Sequence, residues 1–535
     1  RQANTLSDSP EHFQAFRNLL LPMKFLPAGR VQSDIGSPQR TTAFNCFVSD
    51  TIDDSMEGIM LAATNAAKTM RKGGGIGYDF STLRPRGDNI VSLNSRSSGP
   101  VSFMQIFDSV CKTVSSAGNR RGAQMGVLRV DHPDIEEFIE AKTNSDNLTQ
   151  FNISVGITDE FMEQVVNDGD FELKFAGRVF RRVNARYLWD KIMRATWDWA
   201  EPGILFLDRI NNSNNLWYCE TISATNPCGE QPLPPDGACL LGSWNLTKYI
   251  VVGEDGLVFN YPELIADIPV AVRAMDNVID RTTYPLEAQE KEAKAKRRMG
   301  LGVTGLANAG EALGLSYGSP EFIQWEDEIM QLIANETYRA SAMLAKEKGA
   351  FPLYDERYLQ GEFIQKLSPD VQDLIRAQGI RNSHLLSVAP TGTISFSADN
   401  VSSGIEPPFM YEYDRTMQTS DGPVILTVED YAVRAWDVYG RTADTCTVSE
   451  HLDVLITATK WVDSAVSKTL NVGDHVTWEE FKGIYMRAWK EGCKGCTTFR
   501  ASGKRFGILN ATVKTEEPEG GACYIDPETR LKTCE

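Results

Sequence analysis

The chain has 535 residues, 42% of them hydrophobic, which is enough to bury a large core and makes a globular enzyme the default class. A net charge of −18 with no basic stripe excludes polymeric nucleic acid as a partner, while phosphorylated small molecules stay open because loop amides can hold them. No apolar run reaches the ~18–20 residues of a membrane span, and Arg1-Gln2-Ala3-Asn4 opens no signal-peptide pattern, so a cytoplasmic protein without a membrane is expected. Ten scattered cysteines make no disulfide framework, and five histidines leave little for a His-rich metal site.

Residues 1–45 read as a short helix followed by segments punctuated by Pro and Gly. Ser55 to Arg71 has helical spacing and stops at Gly73-Gly74-Gly75, and Gly75 to Phe80 reads as a strand. Arg84 to Pro100 is a polar loop, Ser102 to Ser116 a helix, and Ser116 to Ala123 a second loop. Asp134 is placed to cap a helix through Ala141, and Phe151 to Val155 is a strand. Helices follow at about 186–200, 261–282, 320–348, 451–470 and 477–491, alternating in the middle of the chain with short apolar strands, which predicts an α/β fold. After Leu509 the composition shifts to Lys514-Thr515-Glu516-Glu517-Pro518, a flexible tether leading to Cys523 and Cys534.

Asn226-Pro227-Cys228-Gly229-Glu230 puts an amide, a thiol and a carboxylate within five residues, held out of a helix by Pro and Gly. Such a loop can present three functional groups to one small ligand; taken alone it reads more readily as a surface turn with a spare buried cysteine. Pro390-Thr391-Gly392-Thr393-Ile394-Ser395 combines hydroxyls with Gly-permitted amides and suits a phosphate cradle, again a weak signal by itself.

Together with Ala43-Phe44-Asn45-Cys46-Phe47-Val48, Gly237-Ala238-Cys239-Leu240-Leu241-Gly242-Ser243 and Arg298-Met299-Gly300-Leu301-Gly302-Val303-Thr304-Gly305, these stretches resemble the catalytic large subunit of ribonucleotide reductases, in the family's order and from about residue 20 onward. The resemblance implies a ten-stranded α/β barrel of two five-stranded halves with a central finger loop. A helical segment would occupy 1–40, the barrel 41–510 and a redox-active tail 511–535. It gives Cys228 as the thiyl radical that takes the 3′-hydrogen and Glu230 as the base for the 3′-hydroxyl. It makes Asn226 a ribose ligand and Cys46 the thiol that protonates the departing 2′-hydroxyl. The partner of Cys46 is Cys219 or Cys239; the surroundings of Cys239 fit better, leaving Cys219 as a core thiol. Two such thiols supply a proton and two electrons and end as a disulfide. Cys523 and Cys534 match the family's shuttle cysteines, served by a thioredoxin or glutaredoxin-type reductant.

Asn45, residues Pro390 to Ser395, Arg120 and Arg121 match substrate contacts, and Asp53 and Arg84 match contacts to a dNTP or ATP specificity effector; a homodimer is implied. At the place of the family's tyrosine radical relay stand Thr497-Thr498, and Thr cannot carry an electron hole, so the cofactor expected is adenosylcobalamin. Ribonucleoside diphosphates are the expected substrates. The rival readings are a large subunit fed by a separate ferritin-like subunit and a non-catalytic nucleotide-binding regulator of the same fold. Cys493-Lys494-Gly495-Cys496 has no role in this chemistry, and zinc spacing with Cys523 and Cys534 is poor.

Overall fold

The computed structural model describes residues 1–38, 41–90, 94–114, 122–143, 147–419, 422–500, 502–503, 523–525 and 532–534. Five strands, Cys46–Val48, Gly75–Asp79, Gln124–Arg129, Phe151–Ile157 and Gly203–Phe206, run parallel and side by side in chain order. Their near-continuous apolar character is what burial on both faces demands, with helices such as Met56–Arg71 and Ala185–Trp199 as the crossovers. A second run begins with Ala238–Asn245, parallel to Met299–Thr304. Leu301 then bridges Leu386, and Val388 bridges Val466. The chain continues into Thr469–Val472, parallel to Gly495–Arg500.

The halves meet antiparallel at both seams, Cys46 opposite Cys239 and Ile204 opposite Cys496. The ring therefore closes as the expected barrel, each half contributing five staves. The staves hardest to see are the extended segments 385–388 and 464–467. Backbone bonds fix them: Leu301 N donates to Leu385 O (2.7 Å), Val388 N to Ala465 O (3.1 Å) and Ser467 N to Val388 O (2.8 Å).

Side chains alternate along the staves. Phe47, Leu240, Met299 and Leu301 join the large core under the helices, while Cys46, Val48, Met125, Val127, Cys239 and Leu241 form a smaller cluster inside the ring. Into that interior reaches a hairpin, Ala224–Thr225 paired with Pro232–Leu233. Gly77 is the stave residue that admits it. A Cβ there would stand 1.7 Å from the Thr225 carbonyl oxygen, so no other residue fits without moving the hairpin.

Helices Met56–Arg71, Tyr261–Arg281, Pro320–Lys348 and Trp478–Lys490 follow the predicted spans. The helix expected over 451–470 instead runs Val448–Lys460. Beyond it Asp463 accepts hydrogen bonds from the backbone N–H of Leu385 and Leu386, and Lys494 Nζ donates to the carbonyls of Val462 (3.2 Å) and Asp463 (3.1 Å). These bonds draw the chain out into a stave and satisfy its backbone in place of helix bonds. The loop from Arg84 to Pro100 contains a small hairpin, Asn89–Ile90 against Ser95–Arg96. Asp134 does occupy the N-cap position, but its carboxylate accepts from Arg86 N (2.7 Å) rather than capping its own helix.

Candidate active site

The finger turn is built by its own sequence. Asn226 N donates to Gln231 O (3.1 Å), Gly229 N to Asn226 O (3.1 Å), and Gly229 holds the positive φ of +82° that the reversal needs. The staves then fasten the finger: the Asn152 side chain donates from Nδ2 to Pro227 O (2.9 Å), and the Ala465 backbone N to Glu230 O (3.0 Å). Gln231, given no role by sequence, donates from Nε2 to Ser387 Oγ (2.6 Å) and from its backbone N to Asn226 Oδ1 (2.9 Å), which fixes the orientation of the Asn226 amide.

That amide donates from Nδ2 to Cys46 Sγ (3.1 Å), and the Cys46 thiol donates to Glu230 Oε1 (3.7 Å). Cys46 stands directly across the antiparallel seam from Cys239. Opposed residues in such a ladder have Cα atoms about 4.5–5.5 Å apart, inside the range a disulfide spans. Both thiols are buried and neither is in a disulfide. Burial, then the Glu230 carboxylate, pushes the Cys46 thiol well above its ordinary range; burial does the same to Cys239, opposed by the Arg298 guanidinium. Both stay protonated at neutral pH, as a proton-donating pair must. Burial also raises Glu230 above the usual carboxylate range, against the hydrogen bonds of Asn226 and Cys46.

A cavity of about 220 Å³ opens onto this cluster. Asn45, Cys46, Asn226, Cys228 and Glu230 line it, together with Arg30, Gly73 to Gly75 and Pro390 to Ile394. Two buried polar atoms on its wall, Glu230 Oε2 and Asn45 Oδ1, have no hydrogen-bond partner in the protein, so the wall carries unused acceptors for a polar ligand. Gly392–Ser397 forms a short helix whose first turn faces the cavity. The hydroxyls of this segment are used differently from the sequence expectation. Thr391 Oγ1 and Ser395 Oγ lie 2.9 Å from Thr304 Oγ1 and 2.8 Å from each other, and Gly404 N donates to Thr391 Oγ1 (2.7 Å). They tie the helix to the barrel, and Ser395 is not on the cavity wall. Pro390, Thr391, Gly392, Thr393 and Ile394 are what the cavity meets.

Cys219 corrects an expectation: it is exposed, not a core thiol. Leu216 takes the buried place in that turn and Glu220 pairs with Arg298, which turns the intervening Cys219 outward. Asp53 is exposed beyond the Cys46 strand, and Arg84 Nε donates to the neighbouring Asp54 (2.7 Å); neither lines the cavity. Arg120 and Arg121 lie outside the described residues. In the tail, Cys523–Ile525 pairs antiparallel with Lys532–Cys534, with Cys523 opposite Cys534 in register. No helix among the described residues is long and apolar enough to cross a membrane.

Residues 44–499 match the family described as ribonucleotide reductase, barrel domain. The chain is 34% identical to the vitamin B12-dependent ribonucleoside-diphosphate reductase of Thermoplasma acidophilum, over 96% of this chain and 69% of that protein. It is 36% identical to the vitamin B12-dependent ribonucleoside-diphosphate reductase of Mycobacterium tuberculosis, over 93% of this chain and 73% of that one. A ribonucleoside-diphosphate reductase subunit alpha of Chlamydia muridarum is 26% identical, over 91% of this chain and 54% of that protein. The barrel, its finger and the thiols gathered around it thus sit in a sequence that matches the family across most of its length, and this chain belongs to the ribonucleotide reductases.

Proposed function

We propose that the chain reduces ribonucleoside diphosphates to 2′-deoxyribonucleotides by a thiyl-radical route, with adenosylcobalamin as the radical source. The observation that carries this reading is the contact chain Asn226–Cys46–Glu230 on a cavity wall shared with Cys228, with Cys239 directly across the seam. Cys228 in its radical state takes the 3′-hydrogen of the ribose, and Glu230 accepts the 3′-hydroxyl proton. Cys46 protonates the 2′-hydroxyl, which leaves as water. Cys46 and Cys239 deliver two electrons and become a disulfide, and Cys228 returns its hydrogen to C3′. The balance is ribonucleotide plus two thiols giving deoxyribonucleotide, disulfide and water.

The surroundings of Cys228 suit a bulky cofactor. A second cavity of about 280 Å³, which shares Pro227, Cys228 and Pro390 with the first, is also lined by Asn152, Ser154, Glu201, Lys468 and Thr497. It shares Ala200, Thr469 and Thr497 with a larger, more apolar cavity of about 510 Å³ walled by Pro407, Pro408, Phe409, Met410, Tyr413 and Phe499. These residues would hold adenosylcobalamin, which when bound supplies a one-electron oxidising equivalent beside Cys228. Thr497 lines both cavities, and Thr498, on the wall of the larger one, holds its Oγ1 2.9 Å from Tyr485 Oη. The relatives named as vitamin B12-dependent favour this source over a separate radical-generating subunit.

Cys523 and Cys534 shuttle electrons from a thioredoxin-type or glutaredoxin-type dithiol. A specificity effector meets Asp53 and Arg84, and the active form is a homodimer. One test serves the core of this reading: a single turnover of the fully reduced chain carrying Cys523→Ser and Cys534→Ser, so that the tail cannot re-reduce the pair, with CDP, adenosylcobalamin and no external reductant. The expected result is deoxynucleotide with a Cys46–Cys239 disulfide found by peptide mapping. Product with Cys46 and Cys239 still reduced would overturn the thiol assignment. Replacing Cys523 or Cys534 by Ser spares that turnover and stops thioredoxin-driven cycling.

A further inference from the structure

Arg298 takes no part in the steps above, yet it is fully buried beside one member of the thiol pair. Leu240 pairs with Met299 on adjacent parallel staves, so the residues just before them, Cys239 and Arg298, are level. Cys46 is level with Cys239 on the other side. Neighbouring strands stand about 4.8 Å apart. Leu240 and Met299 point outward into the helix-covered core, so Cys239 and Arg298 share the inward face. Arg298 Nη2 donates to both oxygens of Glu220 (2.8 and 2.8 Å), Nη1 lies 3.3 Å from His384 Nε2, and Nε is a buried donor with no partner. Lys296 adds a second cation against Glu220 (2.8 Å). Burial and the nearby cations keep His384 neutral. Asp463, Glu230 and Glu292 disfavour charge on Cys239, and Arg298 is the strongest influence favouring it. Access differs too: Cys46 lines the first cavity, whereas Cys239 does not and has 0% exposure.

We infer that the Cys46–Cys239 disulfide is reduced in one direction, the incoming thiolate attacking Cys46 while Cys239 is expelled as a thiolate facing the Arg298 guanidinium. This rests on the thiol-pair reading above. The attacking sulfur forms a bond to Cys46 Sγ as the bond between the two protein sulfurs breaks, its electron pair leaving on Cys239. The second thiol of the same dithiol then attacks its partner sulfur and frees Cys46. Two protons restore both thiols, and the dithiol is oxidised by two electrons. Exchange rates depend on which sulfur can be reached and on how well the leaving thiolate is stabilised. Arg298 is thus a positioning residue, setting the polarity of the disulfide without touching substrate.

The test uses the full chain with Cys523→Ser and Cys534→Ser, oxidised by diamide, given one equivalent of glutathione, acid-quenched and peptide-mapped. Glutathione on Cys46 is expected; glutathione on Cys239 would overturn the inference alone. Absence of any Cys46–Cys239 linkage after diamide would sink the thiol-pair reading and this inference with it. In the same background Arg298→Gln slows reduction of the disulfide by dithiothreitol about tenfold, and Arg298→Lys keeps most of the parent rate. An unchanged rate in a variant with native circular dichroism contradicts the inference. The double variant Arg298→Gln with Glu220→Gln removes both charges of the ion pair and serves the same comparison if the single variant does not fold.

Discussion

Cys493 and Cys496 stand three residues apart, while Cys46 and Cys239 come from opposite halves of the barrel, and the two pairs show what makes buried thiols reactive. All four are buried, and burial raises all four above the ordinary thiol range. Cys493 and Cys496 pack in the large apolar core, Cys496 also lining the second cavity, and Cys493 adds to the burial that raises Cys496. Cys46 instead receives a hydrogen bond from Asn226, donates one to Glu230, and opens onto a cavity with unused acceptors. Close spacing in sequence gives the first pair the look of a redox or metal motif. Polar partners and access to the substrate-side cavity give Cys46 its chemistry, and the seam sets Cys239 beside it.

The largest expected effect falls on the cavity side. Cys228→Ala abolishes turnover while CDP binding, followed by equilibrium dialysis, persists; any retained turnover would undo the radical assignment. Gly77→Ala drives a methyl into the Thr225 carbonyl and displaces the finger, and a shift of about 1 Å costs on the order of a hundredfold in kcat. A kcat within threefold of the parent would show that the finger position is not critical. Glu230→Gln removes the base and lowers kcat by about a hundredfold or more. On the core side, Cys493→Ala leaves turnover within about twofold and costs on the order of 1 kcal/mol from lost packing, read as a fall of about 1 °C in Tm for a chain of this length.

The smallest effect is in pH. Burial pushes the Cys493 thiol up to about 12, above its ordinary range. A folded-state value above the unfolded one means that the native state holds the proton longer. Stability from this thiol is therefore complete below pH 9 and is lost as pH rises toward 12. Cys493→Ala should flatten the decline of Tm between pH 9 and 11 relative to the parent; parallel curves would show that the thiol is not insulated as the core geometry requires.

The sequence made the local parts of this account legible. Asn226, Cys228 and Glu230 lie within one turn, and the helices carry their own periodicity and caps, as Ser55 does for Met56–Arg71. What it hid depends on long-range contacts. The staves at 385–388 and 464–467 lack a strand pattern and exist because Leu301, Asp463 and Lys494 hold their backbone. Cys219 looked like a core thiol beside Leu216 and Trp217, but only Leu216 is buried and Trp217 is itself exposed. Thr391 and Ser395 bear hydroxyls suited to a ligand, yet Thr304, from another stave, claims both. Arg298 lay within a motif already singled out, and only strand register showed that it stands beside Cys239.

The central claim is tested most directly by incubating the purified chain with CDP, dithiothreitol and adenosylcobalamin, without a second protein, beside a control lacking the cobalamin. The expected result is dCDP that appears only when the cobalamin is present. Equal dCDP without cobalamin, or none from CDP or CTP in either arm with effector dNTPs supplied, would contradict it.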